Sequence, residues 1–253
     1  MNSTDVPNTS LLPRDAATDE PLQPTPQPGY YPGYNTMSQK AFWDEATRKL
    51  LIMRVDQPPS IRYFTLDQAR FWRTVFEHLI PQHDRAPDHR IPIVEPLDER
   101  LYQNRHIGYR FENMPSDREA FRLGEEAINE EAELRFGGRF GDLPHHQQDL
   151  VLQAIHDKKA QAAASVWQQM SIARFWQLLM QDALEAYYSH PWAWDEIGFG
   201  GPAYPRAYTR LERGEPEPWE VEEQRYDWLA PRYAVSDVTE STHHLHLESD
   251  QNS

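Results

Sequence analysis

Apolar residues recur at helical spacing along the middle of the chain, and the alternation that would mark a half-buried strand is missing throughout. Phe42, Trp43, Ala46, Leu50 and Met53 predict a first amphipathic helix of about four turns beginning near Ser38, closed by Pro58 and Pro59. Thr65-Leu66-Asp67-Gln68 has the form of a capping box. It opens a second helix with Ala69, Trp72, Val75, Phe76, Leu79 and Ile80 on its buried stripe and Pro81 as its stop. A shorter helix is expected around Leu97 to Ile107. Another spans 116–136, with Phe121, Gly124, Ala127, Ile128 and Leu134 on one side and Gly137-Gly138 as a left-handed cap. Leu143-Pro144 opens a fifth, with Leu150, Val151, Ala154 and Ile155 inward. The longest helix is expected over about Ala160 to Tyr188, apolar on more than one face. The fold class that follows is all-α: a single irregular helical bundle between a Pro-rich N-terminal tail and an irregular C-terminal region.

Three segments are predicted. Residues 1–37 carry prolines at a density that blocks helix propagation and read as a disordered tail, although Tyr30, Tyr31 and Tyr34 in a Pro/Gly frame offer an anchoring strip. Residues 38–210 form the helical domain. Residues 211–253 are acidic and mostly disordered. Within the domain, 190–208 is expected to be loop. It holds Trp192, Trp194, Phe199, Tyr204 and Tyr208 among glycines and prolines, a composition suited to interface anchors or to a loop that caps its own core.

Net charge narrows the partners. With 40 acidic against 25 basic side chains the chain carries −15, which repels nucleic acid and anionic lipid headgroups. On α-helical residues 112–134 the acids outnumber the arginines, as a solvated face or an acidic docking surface would. No run of ~18 apolar residues is present, so direct membrane insertion is not expected. Met1 to Pro28 has no basic n-region, apolar core or paired arginines, so the sequence as written carries no export signal.

Catalytic chemistry finds little to stand on. The chain has no cysteine, which excludes thiolate metal sites, iron–sulfur ligation and Cys-x-x-Cys-His haem attachment. A Gly-x-Ser-x-Gly elbow is missing. Gly198, Gly200 and Gly201 follow a helix and precede Pro202, the reverse of a dinucleotide-binding loop. His83, Asp84, Asp88 and His89 supply metal-ligand atoms at a spacing that matches no standard site. They define the alternative of a stand-alone metal-dependent enzyme. His145 and His146 read as solvated, and His243, His244 and His246 as adventitious metal binders. No catalytic, cofactor-binding or metal residue is assigned within the chain.

The order of elements resembles the gluconate 2-dehydrogenase subunit 3 family over about residues 60–210. Leu79-Ile80-Pro81 is similar to the family's helix exit. Arg135-Phe136-Gly137 with Phe140, Leu143 and Gln147-Gln148 is similar to its central segment, and Ile197-Gly198-Phe199-Gly200-Gly201-Pro202 to its C-terminal loop. The resemblance implies a non-catalytic accessory subunit supporting the folding, stability or export of a separate FAD-dependent large subunit of the glucose-methanol-choline type. A cytochrome c subunit would receive the electrons, so FAD and haem c belong to partners and none to this chain. A transient export chaperone is the related alternative. Such subunits commonly begin with a twin-arginine signal. Without one the chain is cytoplasmic as written, and periplasmic if co-exported with a partner.

Overall fold

The computed structural model describes residues 35–37, 40, 43–106, 108, 111–197, 199 and 201–202; Tyr30, Tyr31, Tyr34, Tyr204, Tyr208 and the two expected tails (but for 35–37) lie outside them. Among the described residues there are eight α-helices and no strand: α1 (Glu45–Asp56), α2 (Leu66–Leu79), α3 (Val94–Tyr102), α4 (Asp117–Phe136), α5 (His145–His156), α6 (Ala164–Gln169), α7 (Ile172–Tyr188) and α8 (Pro191–Ile197). The fold is all-α. None of these helices is long and apolar enough to cross a membrane. The helical region divides into two units, one of residues 57–83 and 90–189, the other of 84–89, 190–202 and the described residues of 35–56.

The first unit holds α2 to α7 around an aromatic centre. Thr65 caps α2 as expected, its hydroxyl accepting from Gln68 N–H at 3.2 Å while Gln68 Oε1 accepts from Thr65 N–H at 3.1 Å. This places Phe71, Trp72, Val75 and Phe76 inward. Trp72 meets Phe121 of α4 edge-on at 4.9 Å, and Phe71 meets Phe140 at 5.6 Å, geometries that suit the ring quadrupoles. Ser116 caps α4 and Gly137 ends it at φ 71°, the left-handed turn expected there.

Buried polar side chains tie the unit together. Arg100 of α3 donates from Nε and Nη2 to the Asp182 carboxylate of α7 at 3.0 and 2.8 Å, and from Nη1 to Asp117 of α4 at 2.5 Å. Asp98, fully buried, accepts from three successive backbone N–H groups, of Arg62, Tyr63 and Phe64, at 2.7–3.0 Å. The acids of 112–134 are therefore not all surface. Glu131 is fully buried and Asp117 nearly so, while Glu119 and Glu126 pair with Arg122 along the exposed side of α4.

Four expectations on helix bounds change. The long helix over Ala160 to Tyr188 starts late, at Ala164, and is broken once, at Met170 and Ser171. The Glu131 carboxylate draws in the N–H groups of Gln161 and Ala162, both at 2.8 Å, and Ala163 turns left-handed at φ 55°. Met170 is then extended, and Ser171 caps α7 by accepting from Arg174 N–H at 3.5 Å. The helix near 97–107 starts and stops earlier, at Val94 and Tyr102. The first helix begins at Glu45 rather than Ser38, because Asp44 takes the N–H of Thr47 at 3.0 Å and its hydroxyl at 2.6 Å. That start turns Leu51 inward and leaves Leu50 and Met53 exposed. The region after His190 opens with α8 rather than continuing as loop, since Pro191 at the first helical position needs no N–H partner. Leu134 and Leu150, placed on buried stripes by periodicity, are exposed.

Gly124 of α4 lies against Phe175 of α7. A Cβ there would stand 2.1 Å from Phe175 Cζ, and Phe175 is fully buried. Gly124→Ala adds helix propensity of about 1 kcal/mol but forces that ring out of a filled core, at about 1–3 kcal/mol. The expected outcome is a lower Tm in thermal unfolding; an unchanged or raised Tm would show that Phe175 has room to move.

Candidate functional site

The second unit carries the aromatic segment that the sequence singles out. Its core is Trp43, Leu51 and Trp194, with Met37 packed against them. Strain-free closure of this core depends on Gly201, at φ 78°. A Cβ on it would lie 2.9 Å from Thr36 Cγ2 and 3.4 Å from the Trp43 ring, so only glycine allows the backbone so near. Thr36 completes the closure: its N–H donates to Asp195 Oδ1 at 2.6 Å and its hydroxyl to the Phe199 carbonyl at 3.2 Å. Burial raises the Asp195 carboxyl above its ordinary range, against the lowering effect of those Thr36 contacts.

His190 is the N-cap of α8. Its Nδ1 accepts from the N–H of Trp192 at 3.2 Å, so Nε2 carries the proton and donates to the Arg54 carbonyl of α1 at 3.2 Å. Both ring nitrogens are thereby committed in the neutral form. Burial pushes His190 down to about 4, with nearby Arg85 and Arg54 adding to the fall against the Arg54 carbonyl contact. Arg85, also buried, spans residues 84–89 and α8. It donates from Nη1 to the His89 carbonyl at 3.3 Å, from Nη2 to the Trp192 carbonyl at 3.1 Å, and pairs with Glu196.

The predicted contact residues thus have distinct places. Trp194 is 8% exposed and belongs to the core of its unit. Trp192 is half-buried between two imidazoles, its ring centroid 5.0 Å from that of His89 and 4.7 Å from that of His190. Phe199 is 46% exposed and stands edge-on to Trp194 at 5.4 Å. Exposed Ile197, Leu50 and Met53 belong to the same unit. Tyr204, Tyr208 and the Tyr30–Tyr31–Tyr34 strip lie outside the described residues.

Of the donors around 83–89, His83 Nδ1 stands 3.2 Å from Glu77, outside the set, and His89 Nδ1 stands 3.1 Å from Asp88, within it. Among the described residues, three ligand-bearing side chains come within 4.8 Å of one another elsewhere, at His78, His145 and Asp149. His145, expected to be solvated, stacks on His78 with ring centroids 4.1 Å apart. A depression of about 320 Å³ in the first unit is lined in part by Arg73, Glu77, Arg90 and Glu95. Those charges pair among themselves, Arg73 with Glu95 at 2.6 Å and Arg90 with Glu77 at 3.9 Å, unlike the mostly apolar lining of a cofactor pocket.

The chain is all-helical, and buried polar side chains organise its aromatic segment. The family model for gluconate 2-dehydrogenase subunit 3 matches residues 66–201, more than half of the chain, and the chain belongs to that family. No curated protein and no solved structure matches it. The family is that of a subunit of a multi-subunit gluconate dehydrogenase complex.

His190 makes the second unit acid-sensitive. Its folded pKa, about 4, lies below the ordinary 6.5, so the unfolded chain binds more protons between these values. Stability is full above pH 6.5 and falls as pH drops towards 4, by on the order of 3 kcal/mol at most. In urea unfolding followed between pH 7 and 4, His190→Gln is expected to lose less stability than the parent chain as pH falls. Equal slopes for the two proteins would remove His190 as a source of the loss.

Proposed function

We propose that the chain is a non-catalytic small subunit that binds the FAD-dependent large subunit of a gluconate or related sugar-acid dehydrogenase and supports its folding, stability or export. Membership of the subunit 3 family across residues 66–201 carries this reading. FAD sits in the large subunit, of the glucose-methanol-choline type, and haem c in a cytochrome partner. This chain supplies surface rather than redox chemistry.

The second unit suits docking. Phe199 and Ile197 stand at its surface, next to the buried Trp194 in sequence and, for Phe199, in direct ring contact with it. An exposed aromatic backed by a fixed one loses little conformational freedom on binding, which favours it as an anchor. Leu50 and Met53 add apolar area in the same unit. Trp192 contributes less through its ring than as the centre of the His89–His190 stack.

Co-purification of the tagged chain from its host tests the reading. A yellow complex containing a large FAD oxidoreductase is expected, and Phe199→Ser with Ile197→Ser should weaken it by roughly tenfold or more while helicity is kept. Trp194→Ala is unsuited to this test, since removing a core Trp costs about 3–5 kcal/mol and would perturb the unit itself. Undiminished binding by the double variant would overturn the docking surface. Recovery of the chain alone, from cells that make the oxidoreductase, would overturn the subunit reading.

A further inference from the structure

His78, in the last turn of α2, is held almost wholly out of water, its side chain 3% exposed. Its Nε2 lies 2.9 Å from Gln148 Oε1, and its Nδ1 2.6 Å from Asp149 Oδ1. The amide of Gln148 has one possible orientation, because its Nε2 donates to the Phe140 carbonyl at 2.9 Å and a carbonyl can only accept. Gln148 therefore presents oxygen to His78, and His78 Nε2 carries a proton. In the neutral ring the Nδ1 lone pair then faces Asp149.

His145 turns towards the same carboxylate. One helical turn before Asp149 on α5, it places Nδ1 3.3 Å from Asp149 Oδ2. Two imidazole nitrogens thus converge on the two oxygens of one carboxylate. A lone pair cannot rest 2.6 Å from a carboxylate oxygen without a proton between them, and a metal ion takes that proton's place once the two atoms part to ~3.3 Å.

We propose that His78 Nδ1, His145 Nδ1 and the Asp149 carboxylate bind a divalent transition-metal ion of the Zn²⁺ class. Neutral imidazole and carboxylate suit such an ion, and bond lengths of ~2.0–2.2 Å set neighbouring ligand atoms ~3.3 Å apart in a tetrahedral site. The His145–Asp149 separation of 3.3 Å has that span already. The shorter His78–Asp149 contact opens by rotation of Asp149, whose side chain is 56% exposed. Gln148, fixed by Phe140, plays the outer role that orients a metal-bound histidine: it accepts the N–H opposite the ligating nitrogen and so sets the tautomer. His145 and Asp149 are open to solvent, which leaves further coordination positions to water or a partner's side chain. The site does not draw on the His83–His89 donors, although the His83 ring stands edge-on to His145 at 6.3 Å, and binding there requires no catalysis by this chain.

Calorimetric titration of the chelator-treated full chain with Zn²⁺ at neutral pH, and of a parallel sample with Co²⁺ read by visible absorption, tests the site. One ion per chain is expected. His145→Ala and Asp149→Asn, both at positions where folding should be retained, are expected to weaken binding by at least ~10-fold and to abolish the Co²⁺ spectrum. Replacing His243, His244 and His246 together by Ala should change neither. No saturable binding would assign the His78–Asp149 contact to a proton and overturn the proposal. So would binding that survives both single variants, or that disappears with the three C-terminal histidines.

Discussion

A helical chain must still satisfy the backbone of everything between its helices, and here buried side-chain oxygens do so. Asp98 gathers the three N–H groups ahead of α2, Glu131 the two ahead of α6, and Asp195 that of Thr36. Gln82 works in both directions, accepting from Ile91 N–H at 2.7 Å and donating to its carbonyl at 3.0 Å. An unpaired buried backbone group costs about as much as a lost hydrogen bond, so each connection keeps its path only while its acceptor is in place. Asp98 and Glu131 succeed because each takes several donors at once, which offsets the desolvation of a buried charge.

The same economy holds for the cations. Arg100 is spent on Asp182 and Asp117, and Arg85 on Glu196 and two carbonyls. Such clusters add little net stability over apolar packing, yet losing one partner strands a buried charge at a cost of about 3–5 kcal/mol. They define where α3, α4 and α7 meet, and where α8 starts.

Periodicity made the helices of the first unit legible because their faces differ sharply in polarity and their ends carry local signals: the Thr65 box, Ser116 and Gly137. It failed where a distant side chain decides. Nothing near Ala160 announces that Glu131 will claim the next two N–H groups and delay the helix to Ala164. Asp44 did carry a local signal for α1, but the apolar pattern across Phe42 and Trp43 outweighed it. In the aromatic segment, sequence did not separate core from surface: Trp194 and Phe199 differ in burial, not in type. The His145–Asp149 spacing was readable as one helix face. His78 joins it only through the packing of α2 against α5, which no local pattern encodes.

Arg85 grips main-chain oxygens, those of His89 and Trp192, rather than the side chains that carry them. Every residue offers the same carbonyl, so those two bonds are indifferent to which side chains stand at 89 and 192, whereas the pairing with Glu196 is not. Substitutions at surface positions such as Ile197 can accumulate without loosening the frame beneath. A lineage could thus vary this face while inheriting an unaltered support.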